Sequence, residues 1–163
     1  MAATYTDEVT IHATQAQVWA FLDDPDALGR VLPGCERIER SRPGAFALVL
    51  IMQLAFLSVR ADATATLEDA EPPRRVRLTI DGSPRDIGGS FRVSVPFELE
   101  GTESRKGSPL TRVRYGVEVE LTGSVAMFGT GSVHDAMRRK VVELAANVDR
   151  EVAAGRAPGG SPT

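Results

Sequence analysis

Residues 57–68 read Leu57-Ser58-Val59-Arg60-Ala61-Asp62-Ala63-Thr64-Ala65-Thr66-Leu67-Glu68. Apolar and polar residues alternate without a break, which sends one set of side chains to each side of a β-strand. Such a strand belongs to a sheet with one dry and one wet face, and something must cover the dry face. The same alternation recurs downstream. Phe91, Val93, Val95, Phe97 and Leu99 oppose Arg92, Ser94, Glu98 and Glu100, and Val113, Tyr115, Val117, Val119 and Leu121 complete the set. Turn residues punctuate the runs at Arg42-Pro43-Gly44, Glu71-Pro72-Pro73, Asp81-Gly82-Ser83-Pro84 and Lys106-Gly107-Ser108-Pro109. Residues 35–121 therefore read as a long antiparallel meander.

The cover lies at the C-terminal end. Val133, Met137, Val141, Leu144, Val148 and Val152 recur at steps of 4, 4, 3, 4 and 4, one stripe of an amphipathic helix. Ser132 with Asp135 supplies an N-cap signal and Gly155 a stop. Upstream, Tyr5, Val9 and Ile11 alternate with polar residues as a first strand, with Asp7 the polar exception in the inward row. Thr14 and Gln17 have the spacing of a capping box, opening a short helix with Val18, Trp19 and Leu22 inward. Asp24-Pro25 starts a second short helix, which Pro33-Gly34 stops. The predicted class is α+β: a curved antiparallel sheet of about seven strands wrapped around a long C-terminal helix, with two short helices after the first strand. The domain spans residues 1–154, and the Gly/Pro/Ser-rich stretch 155–163 reads as a disordered tail.

Composition narrows the function classes. The chain has 163 residues, 19 basic against 22 acidic side chains and one cysteine. A lone Cys35 excludes an internal disulfide and a multi-cysteine zinc site, and it reads as a small buried hydrophobe rather than a reactive thiol. His12 and His134 are isolated, so no metal site is expected. A net charge of −3 gives no field for nucleic acid. The opening MAATYTDEVTI lacks the basic and apolar regions of a secretion signal, which makes a cytoplasmic location the expectation. The apolar run 45–57 is too short for a spanning helix. Gly129-Thr130-Gly131 precedes a helix but lacks the remaining residues of either nucleotide-binding fingerprint. Arg138-Arg139-Lys140 reads as a solvated helix face, short of the clusters of about four to eight cations that bind anionic lipid.

The local sequences resemble those of the carbon monoxide dehydrogenase G-subunit family, within the SRPBCC (START-like) superfamily of helix-grip proteins. The residues that carry the resemblance are Val18-Trp19-x-Phe21-Leu22-x-Asp24-Pro25, Leu32-Pro33-Gly34-Cys35-Glu36, Glu71-Pro72-Pro73-Arg74-Arg75 and Gly123-x-x-Ala126-x-x-Gly129. The first phrase is shared across the superfamily; the second and last are more specific. The resemblance implies a non-catalytic accessory protein of a molybdenum-hydroxylase or carbon monoxide dehydrogenase type system. It would bind a quinone or a lipid, recruit the oxidoreductase to the inner face of the membrane, or both, and need no cofactor of its own.

Residues 51–57, Ile-Met-Gln-Leu-Ala-Phe-Leu, depart from that family, whose members carry glycine and polar residues at this turn. The preceding strand is apolar on both faces, with Phe46, Leu48, Leu50 and Met52 on one and Ala47, Val49 and Ile51 on the other. Two dry faces call for a second partner: more protein, a second copy in a homodimer, an oxidoreductase subunit or a bilayer. Leu54, Phe56 and Leu57 are the contact candidates. Candidate cavity walls are Trp19, Leu57, Val59, Phe91, Phe97, Tyr115, Met137, Val141 and Leu144, with Met127 and Phe128 at the mouth. All of these would equally suit an ordinary core. The small Ala61, Ala63 and Ala65 row favours a void beneath the helix. The alternative is a cyclase- or hydrolase-like enzyme using Asp7, Tyr5 or Tyr115, although no inward acid–base pair stands at a readable spacing.

Overall fold

The computed structural model describes residues 5–54, 57–156 and 158. Ala55, Phe56 and most of the expected tail at 155–163 lie outside the described residues, as does the side chain of Leu54. Among the described residues eight strands form one antiparallel sheet: β1 (Asp7–Ile11), β2 (Cys35–Arg42), β3 (Ala45–Leu54), β4 (Leu57–Glu71), β5 (Arg75–Pro84), β6 (Ser90–Glu103), β7 (Pro109–Tyr115) and β8 (Glu118–Thr122). Their spatial order is β1-β7-β6-β5-β4-β3-β2, and β8 pairs with the first residues of β6. Helices α1 (Gln15–Asp23) and α2 (Pro25–Val31) follow β1, and the long α3 (Thr130–Ala153) closes the chain after a 3-10 turn at Gly123–Phe128.

The helix starts form as their sequences dictate. Thr14 Oγ1 accepts from the Gln17 amide at 3.1 Å, and the Thr14 amide donates back to Gln17 Oε1 at 2.8 Å. Asp24 Oδ1 accepts from the amides of Asp26 and Ala27, so one carboxylate ends α1 and starts α2. Helix α3 begins two residues before the expected Ser132. Gly129 is its N-cap, at φ +83°, and makes no side-chain cap bond.

The strand pattern differs from expectation in two places. Asp81-Gly82-Ser83-Pro84 is not a turn but the end of β5; the chain reverses after it, through Gly88-Gly89. Gly82 is there for space. A Cβ at this position would lie 2.6 Å from Phe91 Cζ and 2.8 Å from the Asp62 carbonyl oxygen. The run from Val113 to Leu121 is also two strands rather than one, broken at Gly116-Val117, so β7 pairs the far half of β6 and β8 the near half.

The outer face of β3 is partly covered by the chain itself. Ala47, Val49 and Ile51 are partly buried beside Thr64, Asp62 and Arg60 of β4. Ion pairs Arg60–Glu36 at 2.7 Å and Arg85–Asp62 at 2.8 Å lay arginine stems along the same surface, and such stems cover apolar surface while their heads stay in water.

At the far end, Glu151 is buried within α3 and accepts from Arg30 Nε at 2.8 Å and from Arg156 Nη2 at 2.6 Å. These bonds hold its carboxyl at about 2, below the ordinary 4.5, with Arg156 the larger influence. A folded-state value below the unfolded one means stability that is present above about pH 4.5 and lost as pH falls toward about 2. Glu151→Gln should therefore destabilise the protein at neutral pH, by about 1–2 kcal/mol given the exposure of both arginines. The difference from wild type should shrink on acidification, measured by urea unfolding across pH 3–7; a pH-independent difference would refute the clasp.

Candidate functional site

Beneath the first half of α3 lies a cavity of about 340 Å³. From the sheet its walls are Leu50 and Met52 of β3, Leu78 and Ile80 of β5, and Val93, Val95 and Phe97 of β6. From above they are Val133, Ala136, Met137, Val141 and Leu144, and from the side Leu32 and Pro33. Strand alternation supplies the floor and helical spacing the roof, so the site is made by the same periodicities that make the fold.

The Leu32-Pro33 lip is held on two sides. Gly34, at φ +76°, brings its carbonyl within 2.7 Å of the Ile51 amide; a Cβ there would sit 2.5 Å from the Ile51 oxygen. Asn147 Nδ2 donates to the Val31 carbonyl at 2.8 Å, tying the end of α2 to α3. The polar side chains of the site are Gln53, Arg139, Lys140 and Glu143. Gln53, Arg139 and Glu143 are exposed and Lys140 is partly buried, its Nζ 4.0 Å from Glu143 Oε2.

A second, wholly apolar chamber of about 60 Å³ lies further along α3, among residues including Val9, Phe21, Leu28 and Val113. Leu78, Phe97, Val141 and Leu144 line both spaces and so form the partition between them.

Of the nine wall candidates, Phe97, Met137, Val141 and Leu144 meet at this cavity. Trp19 is buried in α1 and Tyr115 in β7, but neither lines it. Val59 borders a polar hollow with Arg60, Arg85 and Asp86, and Phe91 fills the space beside Gly82. Leu57 is 40% exposed at the β3–β4 turn. The alanine row does not line the cavity either. Ala61, Ala63 and Ala65 are buried and pair across the ladder with Leu50, Leu48 and Phe46. The expected mouth is also elsewhere: Met127 is 89% exposed and Phe128 packs on the core, while the polar opening is at Gln53, Arg139, Lys140 and Glu143. Sequence reasoning missed Leu32, Pro33, Leu50, Met52 and Ala136. The Pro33-Gly34 stop that ended α2 was the available signal for a lip.

The titratable alternative assembles only in part. Asp7 Oδ1 accepts from Arg138 Nη2 at 2.7 Å, and Tyr5 stacks under the Arg114 guanidinium at 5.5 Å. Burial pushes the Tyr115 phenol up, and the Asp7 charge adds to it. None of the three lines the cavity. Cys35 donates its thiol hydrogen to the Arg37 carbonyl at 3.4 Å, and burial raises its pKa. Among the described residues no group of three or more His, Cys, Asp or Glu side chains is placed to hold a metal ion, and no helix is long and apolar enough to cross a membrane. A further hollow of about 840 Å³ is open, and its lining includes Arg37, Glu39, Asp62, Arg85, Arg92 and Glu120. It holds ion pairs Arg85–Asp62 and Arg92–Asp81 rather than a dry wall.

A curved antiparallel sheet closed by one long C-terminal helix, with two short helices after the first strand, is the helix-grip fold of SRPBCC (START-like) proteins. Solved structures agree. A conserved protein from Geobacillus kaustophilus superposes with a TM-score of 0.77 at 20% identity, covering 91% of this chain and 93% of that one. The Zhui aromatase/cyclase from Streptomyces sp. R1128 superposes at 0.58 and 15% identity over 95% and 96%. A Thermus thermophilus protein does so at 0.60 and 19% over 91% and 96%. At these identities they establish the fold alone. The chain belongs to the carbon monoxide dehydrogenase G-subunit (CoxG) family, whose profile matches residues 8–153. No curated protein matches it.

Proposed function

We propose that this chain is a non-catalytic accessory protein of a molybdenum-hydroxylase or carbon monoxide dehydrogenase type system, holding a hydrophobic molecule, a quinone or a lipid, under helix α3. The observation that carries this reading is the cavity of about 340 Å³ with apolar walls and polar side chains gathered at one opening. It falls within the roughly 300–1,000 Å³ of small-molecule sites. Membership of the CoxG family supports the accessory role. The exposed Leu57 at the β3–β4 turn supports contact with the oxidoreductase or with the inner face of the membrane.

Mass spectrometry of solvent extracts from natively purified protein tests the reading. A quinone or lipid recovered in near-stoichiometric amount is expected. Empty protein whose melting temperature does not respond to added quinones or fatty acids would overturn it. A cyclase-like reading draws on the Zhui neighbour, but Asp7 is paired with Arg138 and Tyr115 stands off the cavity. General acid–base work needs such groups within reach of the substrate.

A further inference from the structure

The cavity has a direction. On its exposed side stand Gln53, Arg139, Lys140 and Glu143; on its buried side Leu78, Phe97, Val141 and Leu144, which also line the smaller apolar chamber, separate the two spaces. Between the two sides the lining side chains are apolar, and the strand backbone beneath them is committed to the sheet ladder. A ligand oxygen pushed into that interior would leave water and gain no partner. At the opening it would meet donors. Arg138 is engaged by Asp7 at 2.7 Å and Lys140 lies at a loose 4.0 Å from Glu143, whereas among the described residues Arg139 makes no ion pair.

Resting on the reading above, that the cavity holds a ligand, we propose that it takes an amphiphile chain first. A single apolar chain runs from the opening to the Phe97 partition, and a head bearing acceptor oxygens stays at the opening on Arg139 and Lys140. A carboxylate and a quinone carbonyl share this chemistry, since both accept hydrogen bonds from cationic donors. Glu143 faces the same opening and selects against a second negative charge there. Phe97 sets the length of chain that fits: the space beyond it, about 60 Å³, has room for roughly two methylene-sized groups.

Calorimetric titration of the full chain tests this, using a homologous series of straight-chain alkyl carboxylates, a series of alkyl-substituted benzoquinones, and alkyltrimethylammonium ions as the head that offers no acceptor. Affinity should tighten about fourfold per added methylene and then level off. Phe97→Ala, or Leu144→Ala from the helix side should the first variant fail to fold, should move that plateau outward by about two methylenes. The double substitution Arg139→Gln with Lys140→Gln should weaken the carboxylates by roughly tenfold and leave the plateau where it was. The stronger of the two acceptor series identifies the head. An unmoved plateau in folded partition variants, an unchanged affinity in the double variant, or equal binding of the ammonium series would overturn the chain-first arrangement. Failure of every series to bind the native protein would instead overturn the cavity-ligand reading itself.

Discussion

Ala136→Trp should abolish uptake of decanoate or a decyl-substituted benzoquinone, lowering affinity by about 100-fold or more, while the protein melts at or near the wild-type temperature. Ala136 lines the cavity from α3, one residue before Met137, and is only partly buried. An indole placed there has somewhere to go: into the mouth, where no protein atoms are displaced. Ordinary overpacking costs about 1–3 kcal/mol because a filled core must move aside, and that cost is largely avoided at an empty site. The loss of binding follows from chain burial. If each inserted methylene contributes about 0.8 kcal/mol, excluding even four of them removes more than two orders of magnitude in affinity. Titration calorimetry alongside a thermal melt separates the two effects. Retained binding by a folded Trp variant would mean that ligand does not pass between α3 and the Leu32-Pro33 lip.

The second large effect concerns stability. Phe46→Ala should cost about 3–5 kcal/mol, which at roughly 2–4 °C per kcal/mol for a domain of this size lowers the melting temperature by about 10 °C. Phe46 is fully buried on the inner face of β3 and lies opposite Ala65, itself fully buried. Its small neighbour is the reason for the size of the effect. When a large side chain is removed beside other large ones, they can relax into the gap; beside alanines, little can. The Arg40 guanidinium stands 5.4 Å from the ring centroid on the other side, but it is exposed, so Arg40→Ala should cost no more than about 1 kcal/mol. Denaturant unfolding of the two variants would show the contrast, and a Phe46→Ala loss below that of Arg40→Ala would refute it.

The fold was legible because its signals are periodic. Twelve residues at 57–68 alternate and six apolar residues recur at helical steps along α3, and those two patterns already define a sheet and its cover. The end groups were legible too, since Thr14, Gln17 and Asp24 cap as their identities require. What alternation cannot reveal is which inward residues are covered by their neighbours across the sheet. Ala61, Ala63 and Ala65 promised empty space, yet register sets them opposite Leu50, Leu48 and Phe46. Trp19, Phe91 and Tyr115 are buried as read, but away from the cavity under α3. The cavity depends on Leu32 and Pro33 coming up beside β3 and α3, a meeting of segments far apart in sequence. Glycine was the most misleading letter: Gly82 marked a close approach by Phe91 rather than a turn.

Helix α3 is secured unevenly. Asp149 accepts from the His12 amide at 2.6 Å, Asn147 reaches the Val31 carbonyl, and Glu151 gathers Arg30 and Arg156, so three ties fall within residues 147–151. Among the described residues, the first half of the helix has a single side-chain tie of this kind to the rest of the chain, Arg138 to Asp7. Mechanically α3 is a beam with two fastenings, one at Arg138 and a denser one at residues 147–151, and the cavity-lining Val141 and Leu144 lie on the span between them.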